Sequence, residues 1–208
     1  MRNDLAEKII IESGGIARTA ALNAGGIENY EISRLCSNGY IRRIRHGYYS
    51  LCEVSDDTIL SAVLPEGIIC MQSALFHYGY CECPDVWSVA VPRSLSRSKL
   101  YMECIEFQPY FIRNEFLDIG RTEERFKTVS LPVYDRERTI CDMFRYRRKM
   151  DPDIFASALY SYAADENRNL DRLEEYSRLM HIEDKVRDAI EIVLASPPLS
   201  VEKKQVMV

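Results

Sequence analysis

The chain has 208 residues, a formal net charge of −5, and 47% hydrophobic and 28% charged side chains, an ordinary balance for a globular protein. No apolar run approaches the roughly 18 residues of a membrane-spanning helix, and Met1-Arg2-Asn3-Asp4 runs straight into an amphipathic pattern rather than a signal peptide. Seven cysteines, an odd number set mostly in apolar runs, read as reduced thiols used as small hydrophobes, so a cytoplasmic protein without membrane association is expected.

In chain order, Leu5, Ala6, Ile9 and Ile10 share one face of a first helix that ends near Ser13-Gly14-Gly15. Thr19 is placed to cap a short second helix running to Ala24, stopped by Gly25-Gly26. A third helix covers Tyr30–Ser37, with Asn29 as its expected cap and Asn38-Gly39 as its end. On helical geometry, Ile32, Leu35 and Cys36 fall on one side of it, and Tyr30, Ser33, Arg34 and Ser37 on the other. Tyr40–Ile44 and Tyr48–Leu51 then read as two strands joined at Arg45-His46-Gly47. Three short helices and a hairpin are the plan of a winged helix-turn-helix, expected over residues 1–55. Within residues 30–49, Arg34, Arg42, Arg43 and Arg45 face a single acid, Glu31, so a basic patch lies on an acidic chain.

Asp56-Asp57 begins a helical connector, expected over 56–66, that ends near Pro65. Ser73–Tyr80 follows as a short helix closed by glycine. Strands are expected at Val86–Val91, Cys104–Phe107, Tyr110–Arg113 and Phe126–Leu131, together a sheet between residues 86 and 134. Helices dominate afterwards. Asp135 caps one carrying Ile140, Met143 and Phe144, and Asp151-Pro152 opens another through Phe155, Ala158, Leu159 and Tyr162. Leu170–Met180 and Val186–Val193 supply two more, and residues 196–208 read as an unpatterned, disordered tail. The expected fold class is α+β: a winged helix-turn-helix, then a mixed β-sheet with C-terminal helices in a second domain over 67–195. No internal repeat or low-complexity tract is present.

Gly15–Leu51 resembles the N-terminal winged helix of AbiEi-type antitoxins. The family's Leu-x-x-x-Gly-x-Ile recognition-helix end reads here Leu35-Cys36-Ser37-Asn38-Gly39-Tyr40-Ile41, and its Arg-x-Gly-x-Tyr wing reads Arg45-His46-Gly47-Tyr48-Tyr49. Tyr40 departs from the leucine or similar aliphatic residue usual there. Ser73-Ala74-Leu75 and the Arg-x-Arg-Thr-x-x-Asp-x-Phe stretch, Arg136–Phe144, are similar to the family's C-terminal segments. The resemblance spans roughly residues 5 to 195 and implies an antitoxin of a type IV toxin–antitoxin, phage-abortive-infection module. It further implies autorepression through inverted repeats in promoter DNA, with protomers pairing there. It also implies action against a nucleotidyltransferase-like toxin without a stable complex. The alternatives are a stand-alone winged-helix regulator and a nuclease-type enzyme with a DNA-binding module.

The DNA-facing candidates are Thr19, Tyr30, Ser33, Arg34, Ser37, Arg42, Arg43, Arg45, His46 and Tyr48. Arg34 suits a guanine edge, whereas the wing arginines suit phosphates. Arg42 and Arg43 are strand neighbours and point to opposite faces. Cys81 and Cys83, near Cys70 and His77, are too closely spaced for a zinc knuckle, so no metal is expected. Phosphate-cradling glycine loops and a zinc-protease helix are missing, and Asp151-Pro152-Asp153 reads as a helix cap, so neither cofactor nor enzyme activity is expected. The cluster Arg136, Arg138, Arg145, Arg147, Arg148 and Lys149 reads either as a solvated helix face or as a surface for nucleic acid.

Overall fold

The computed structural model describes residues 2–195. The expected tail at 196–208 lies outside the described residues. The chain divides into two compact units. The first takes the chain up to Ile68 together with Val89–Leu117 and Glu123–Pro132; the second takes Ile69–Ser88, Asp118–Thr122 and the chain from Val133 onward. The architecture is α+β, as expected, and no helix is long and apolar enough to cross a membrane among the described residues.

The N-terminal part of the first unit runs α1 (Arg2–Glu12), β1 (Ile16–Arg18), α2 (Thr19–Ala24), α3 (Asn29–Ser37), β2 (Arg42–Arg45), β3 (Tyr48–Ser50) and α4 (Asp56–Val63). Its core is apolar: Ala6, Ile10, Ala17, Leu22, Ile27, Ile32, Leu35 and Ile41 pack together. The expected two-stranded wing is a three-stranded antiparallel sheet of order β1-β3-β2, because Ile16–Arg18 pairs with Ser50–Tyr48. Two caps differ from expectation. Thr19 is the first residue of α2, with Arg18 in the cap position, and Asn29 is the first residue of α3, with Glu28 before it. There Glu31 Oε2 accepts the Glu28 N–H at 3.1 Å, a capping box that outcompetes the asparagine. Arg2 Nε lies 3.0 Å from Glu31 Oε1, which neutralises this buried carboxylate.

Beyond α4 come β4 (Ile68–Ile69), α5 (Met71–His77), β5 (Trp87–Pro92), β6 (Phe107–Ile112), α6 (Asn114–Leu117), β7 (Arg121–Arg125) and β8 (Ser130–Tyr134). The larger sheet has the order β6-β5-β4-β8-β7, with β4 and β8 parallel and Ile69 opposite Val133. Two expected strands shift. Cys104–Glu106 is not strand, since the Glu103 N–H bonds the Ile44 carbonyl at 2.7 Å and ties this stretch to the wing instead. Phe126–Val129 forms a turn closed by the Phe126 N–H to the Val129 carbonyl at 2.9 Å, and strands flank it on both sides.

The second unit is dominated by α7 (Arg136–Arg145), α8 (Pro152–Ala164), α9 (Leu170–Leu179) and α10 (Glu183–Ala195). Asp135 and Asp151 cap as expected: Asp135 accepts the Arg138 N–H at 2.8 Å, and Asp151 accepts the Asp153 N–H at 2.8 Å. The surprise is inside α7, where Glu137, Arg138 and Asp142 are all buried. The Arg138 Nε donates to Asp142 Oδ2 at 3.1 Å and its Nη1 to the Ile119 carbonyl at 2.8 Å, with the guanidinium 4.0 Å above the Tyr134 ring. Arg136 pairs with Asp165 at 2.9 Å. The first two arginines of the basic cluster therefore belong to the interior network and not to a solvated face.

Removing one partner of a buried ion pair strands the other charge. Arg138→Met should cost about 3–5 kcal/mol, and the double variant with Asp142→Leu should recover most of that loss. Urea denaturation of both measures it; a double variant as unstable as the single would show that packing, and not the stranded carboxylate, sets the cost.

Asp165 supplies a pH test. Burial opposes its ionisation, but hydrogen bonds from Tyr80, the Asn167 N–H and Arg136 outweigh burial and bring its pKa from 3.8 down to about 2. Its folded-state pKa is depressed, so its contribution is present at neutral pH and is lost as pH falls from about 4 to about 2. Asp165→Asn should be less stable by about 2 kcal/mol at neutral pH, with the gap closing over that acid range. Denaturation midpoints across pH for both proteins check this, and a pH-independent gap contradicts it.

Candidate nucleic-acid interface

The helix α3 presents the two faces expected of it. Ile32 and Leu35 are buried and Cys36 is half-buried, while Ser33, Arg34 and Ser37 are exposed and Tyr30 retains 64% of its accessible surface. The two serines donate backwards along the helix, Ser33 Oγ to the Asn29 carbonyl at 3.1 Å and Ser37 Oγ to the Ser33 carbonyl at 3.0 Å. Their oxygens keep acceptor capacity toward solvent. Arg34 projects from this face with no hydrogen bond or ion pair to any of the described residues.

The wing follows directly. Gly39, at φ +68°, ends the helix, and Gly47, at φ +81°, turns the hairpin, both in the left-handed region that a side chain resists. Tyr40 is engaged at both ends: its hydroxyl donates to Glu7 Oε2 at 3.0 Å while its ring packs against the apolar core. The Thr19 N–H bonds the Gly47 carbonyl at 3.0 Å and places the start of α2 beside the wing turn, where His46 is exposed.

The wing arginines have distinct settings. Arg42 is half-buried and holds the exit of β3, donating from Nε to Ser50 Oγ at 3.2 Å and from Nη2 to the Val54 carbonyl at 2.7 Å. Arg43, on the other face, pairs with Glu103 at 2.8 Å. Arg45 donates to the Lys99 carbonyl at 2.9 Å and stacks 4.4 Å from the Tyr48 ring centre. A bulge between Arg43 and Arg45 sets Arg45 opposite Tyr48 and turns Ile44 into the core.

Sequence reasoning missed Arg18, which lies directly across from Tyr48 and 5.2 Å from the ring centre on the side of β1. Arg18, Tyr48 and Arg45 thus form one cross-strand ladder, a planar ring between two guanidinium groups. Only the pairing of β1 reveals it; the nearest hint in the sequence is that Arg18 immediately precedes Thr19. Glu103 was equally invisible, since its partner lies 60 positions away. Elsewhere, Cys81 is half-buried and Cys83 exposed, and among the described residues no group of three His, Cys, Asp or Glu stands where it could hold a metal.

These features define a winged-helix module, short helices packed beside a three-stranded antiparallel ribbon. Residues 4–51 match the model of a family described as transcriptional regulator, AbiEi antitoxin. The matched stretch is the one that carries the helix-end and wing motifs. The crystal structure of RV2827C protein from Mycobacterium tuberculosis is similar in fold, with a TM-score of 0.65 at 15% identity over 93% of this chain and 80% of that one. No curated protein matches the chain.

The Arg43–Glu103 pair is half-exposed on the arginine side, so it contributes little to stability. The carboxylate occupies the Arg43 Nε, so it competes with any phosphate approaching that edge. Glu103→Gln should change stability by less than about 1 kcal/mol and strengthen binding to duplex DNA of any sequence. Duplex titrations at low salt check it; unchanged affinity would assign Arg43 to the scaffold alone.

Proposed function

We propose that the protein is a DNA-binding autorepressor and the antitoxin of a type IV toxin–antitoxin operon, countering a nucleotidyltransferase-like toxin without a stable complex. The observation that carries the DNA-binding part is the uncommitted outer face of α3, Tyr30, Ser33, Arg34 and Ser37, beside the Arg18–Tyr48–Arg45 ladder. The match of residues 4–51 to a regulator family supports it. In this reading α3 enters the major groove of inverted repeats in promoter DNA, one protomer to each repeat. Arg34, with its fork free, reads a base edge, and Tyr30, Ser33 and Ser37 contact the same groove. Arg43 and Arg45, with His46, Tyr48 and Thr19 around the turn, meet the phosphate rail. Arg42 holds the ribbon in shape from behind, because its Nε and Nη2 are taken by Ser50 and by the Val54 carbonyl just past the wing. A net charge of −5 keeps non-specific affinity low.

The DNA-facing groups lie before residue 55, and we assign the antitoxin activity to residues 67–195 in the cytoplasm, exerted by binding and not by catalysis. The larger compact unit that contains the wing supports it through Glu103 and Lys99.

Base reading and phosphate holding separate experimentally. Arg34→Ala should cost about 1–3 kcal/mol on the operator and relax preference at one base pair. Arg45→Ala should weaken all duplexes alike and lower the salt slope by about one ion. Promoter and scrambled duplexes titrated at several salt concentrations distinguish the two, and an Arg34→Ala protein with its base preference intact would remove α3 from the groove.

A further inference from the structure

The second unit carries a concave surface that the DNA-binding reading does not use. A cleft of about 870 Å³ opens between the end of α7, the turn that follows it, α8 and the start of α10. Five cations line it: Arg145, Arg147, Arg148, Lys149 and Lys185. No carboxylate is among its lining residues. Arg145 lies 3.8 Å from Asp142 behind the cleft, and the other four have no ion pair among the described residues. Helix electrostatics accounts for part of this only. Cations after the C-terminus of α7 complement its dipole, but Lys185 sits in the first turn of α10, where a positive charge is disfavoured. Four like charges without an ion pair, three from the turn after α7 and one from α10, in a protein of net charge −5, point to an anion as the natural occupant.

The aromatic side chains narrow the class of anion. Phe144 and Phe155 meet edge to face with centroids 5.1 Å apart, and the Arg147 guanidinium lies 4.2 Å from the Phe155 ring centre. Flat rings and a flat guanidinium at the mouth of a basic cleft offer a stacking platform, which phosphate alone does not need. The volume matches that of small-molecule clefts and leaves room for a nucleotide or two. A duplex keeps its base faces covered by its own stacking, whereas a single strand can splay a base onto a ring.

We propose that this cleft binds single-stranded nucleic acid, with Arg148, Lys149 and Lys185 on the phosphates and a base against the Arg147–Phe155 stack. The test uses the full chain and a fluorescein-labelled ten-nucleotide RNA of mixed sequence, with the same sequence as single-stranded and as duplex DNA, followed by anisotropy over a range of salt. The side chains of Arg148, Lys149 and Lys185 are exposed, so Arg148→Gln/Lys149→Gln and Lys185→Gln should fold as the parent does, which thermal midpoints verify. The double variant should weaken single-strand binding about tenfold at low salt and lower the salt slope by about 0.7 per cation removed. Duplex binding should be unchanged in these variants, and single-strand binding should be unchanged in Arg34→Ala. Three results would overturn the proposal: no single-strand binding by the parent, equal losses on single strand and duplex, or loss of single-strand binding in Arg34→Ala. Competition by AMP at concentrations comparable to the strand would likewise overturn it in favour of a free nucleotide.

Discussion

The second unit depends on a charge that it buries completely. Arg138 lies inside α7, and the groups that engage it include the Ile119 carbonyl, the Tyr134 ring and, one turn on in the same helix, the Asp142 carboxylate. The capping Asp135 extends the network, taking the Tyr176 hydroxyl at 3.1 Å from α9 while its own N–H bonds the Gly120 carbonyl at 2.7 Å. Gly120 has to be glycine there: at φ +69° a Cβ would stand 2.4 Å from the Arg138 Cβ. Glu137 accepts from the Asn169 N–H at 2.8 Å and from the Tyr162 hydroxyl at 3.3 Å, so α8 and the cap of α9 are joined to α7 as well. Apolar contacts tolerate sliding; a buried charge with directional partners does not.

The winged segment is stabilised differently. Its core is wholly aliphatic, so no polar group of α3 other than Glu31 is drawn inward. The outer face of the helix is therefore left uncommitted. The wing is the reverse, since Arg42, Arg43 and Arg45 each make a hydrogen bond within the first unit. On the proposed DNA-binding reading, a ribbon held this firmly would lose less entropy against a phosphate rail, and the arm of Arg34 would keep the adaptability that base reading requires.

Which features were legible in the sequence follows from the range of the interactions that produce them. The period of Ile32, Leu35 and Cys36, the glycines at 39 and 47, and the caps at Asp135 and Asp151 are local signals, and each correctly located its element. The third wing strand was not legible because Ile16–Arg18 is only three residues long and acquires strand character from β3. Arg121–Arg125 has no apolar alternation, so β7 carried no strand pattern. Cys104–Glu106 showed the opposite failure, a β-rich run whose backbone is claimed by the wing. For the interface, the exposed face of α3 was readable from helical spacing, whereas the partners of Arg43 and Arg45, and the presence of Arg18 beside Tyr48, depend on strand register and distant loops.

The basic cluster between Arg136 and Lys149 shows why a charge count along the chain misleads. Read linearly, its arginines and lysine look like one surface. In three dimensions Arg138 is in the interior and Arg136 is bound to Asp165, because helical spacing turns both toward the acids and tyrosines that surround α7. The chain leaves the helix at Tyr146, and the three cations after it fall on a single turn with nothing acidic opposite. The stretch resembling the family's Arg-x-Arg-Thr-x-x-Asp-x-Phe motif is thus mostly a folding device: Arg136, Arg138, Thr139 and Asp142 are each engaged within the second unit. Its last residue, Phe144, already lines the cleft. The cations without an ion pair begin at Arg147, past the end of α7, so the helix that builds the unit and the turn that lines the cleft are consecutive and physically distinct.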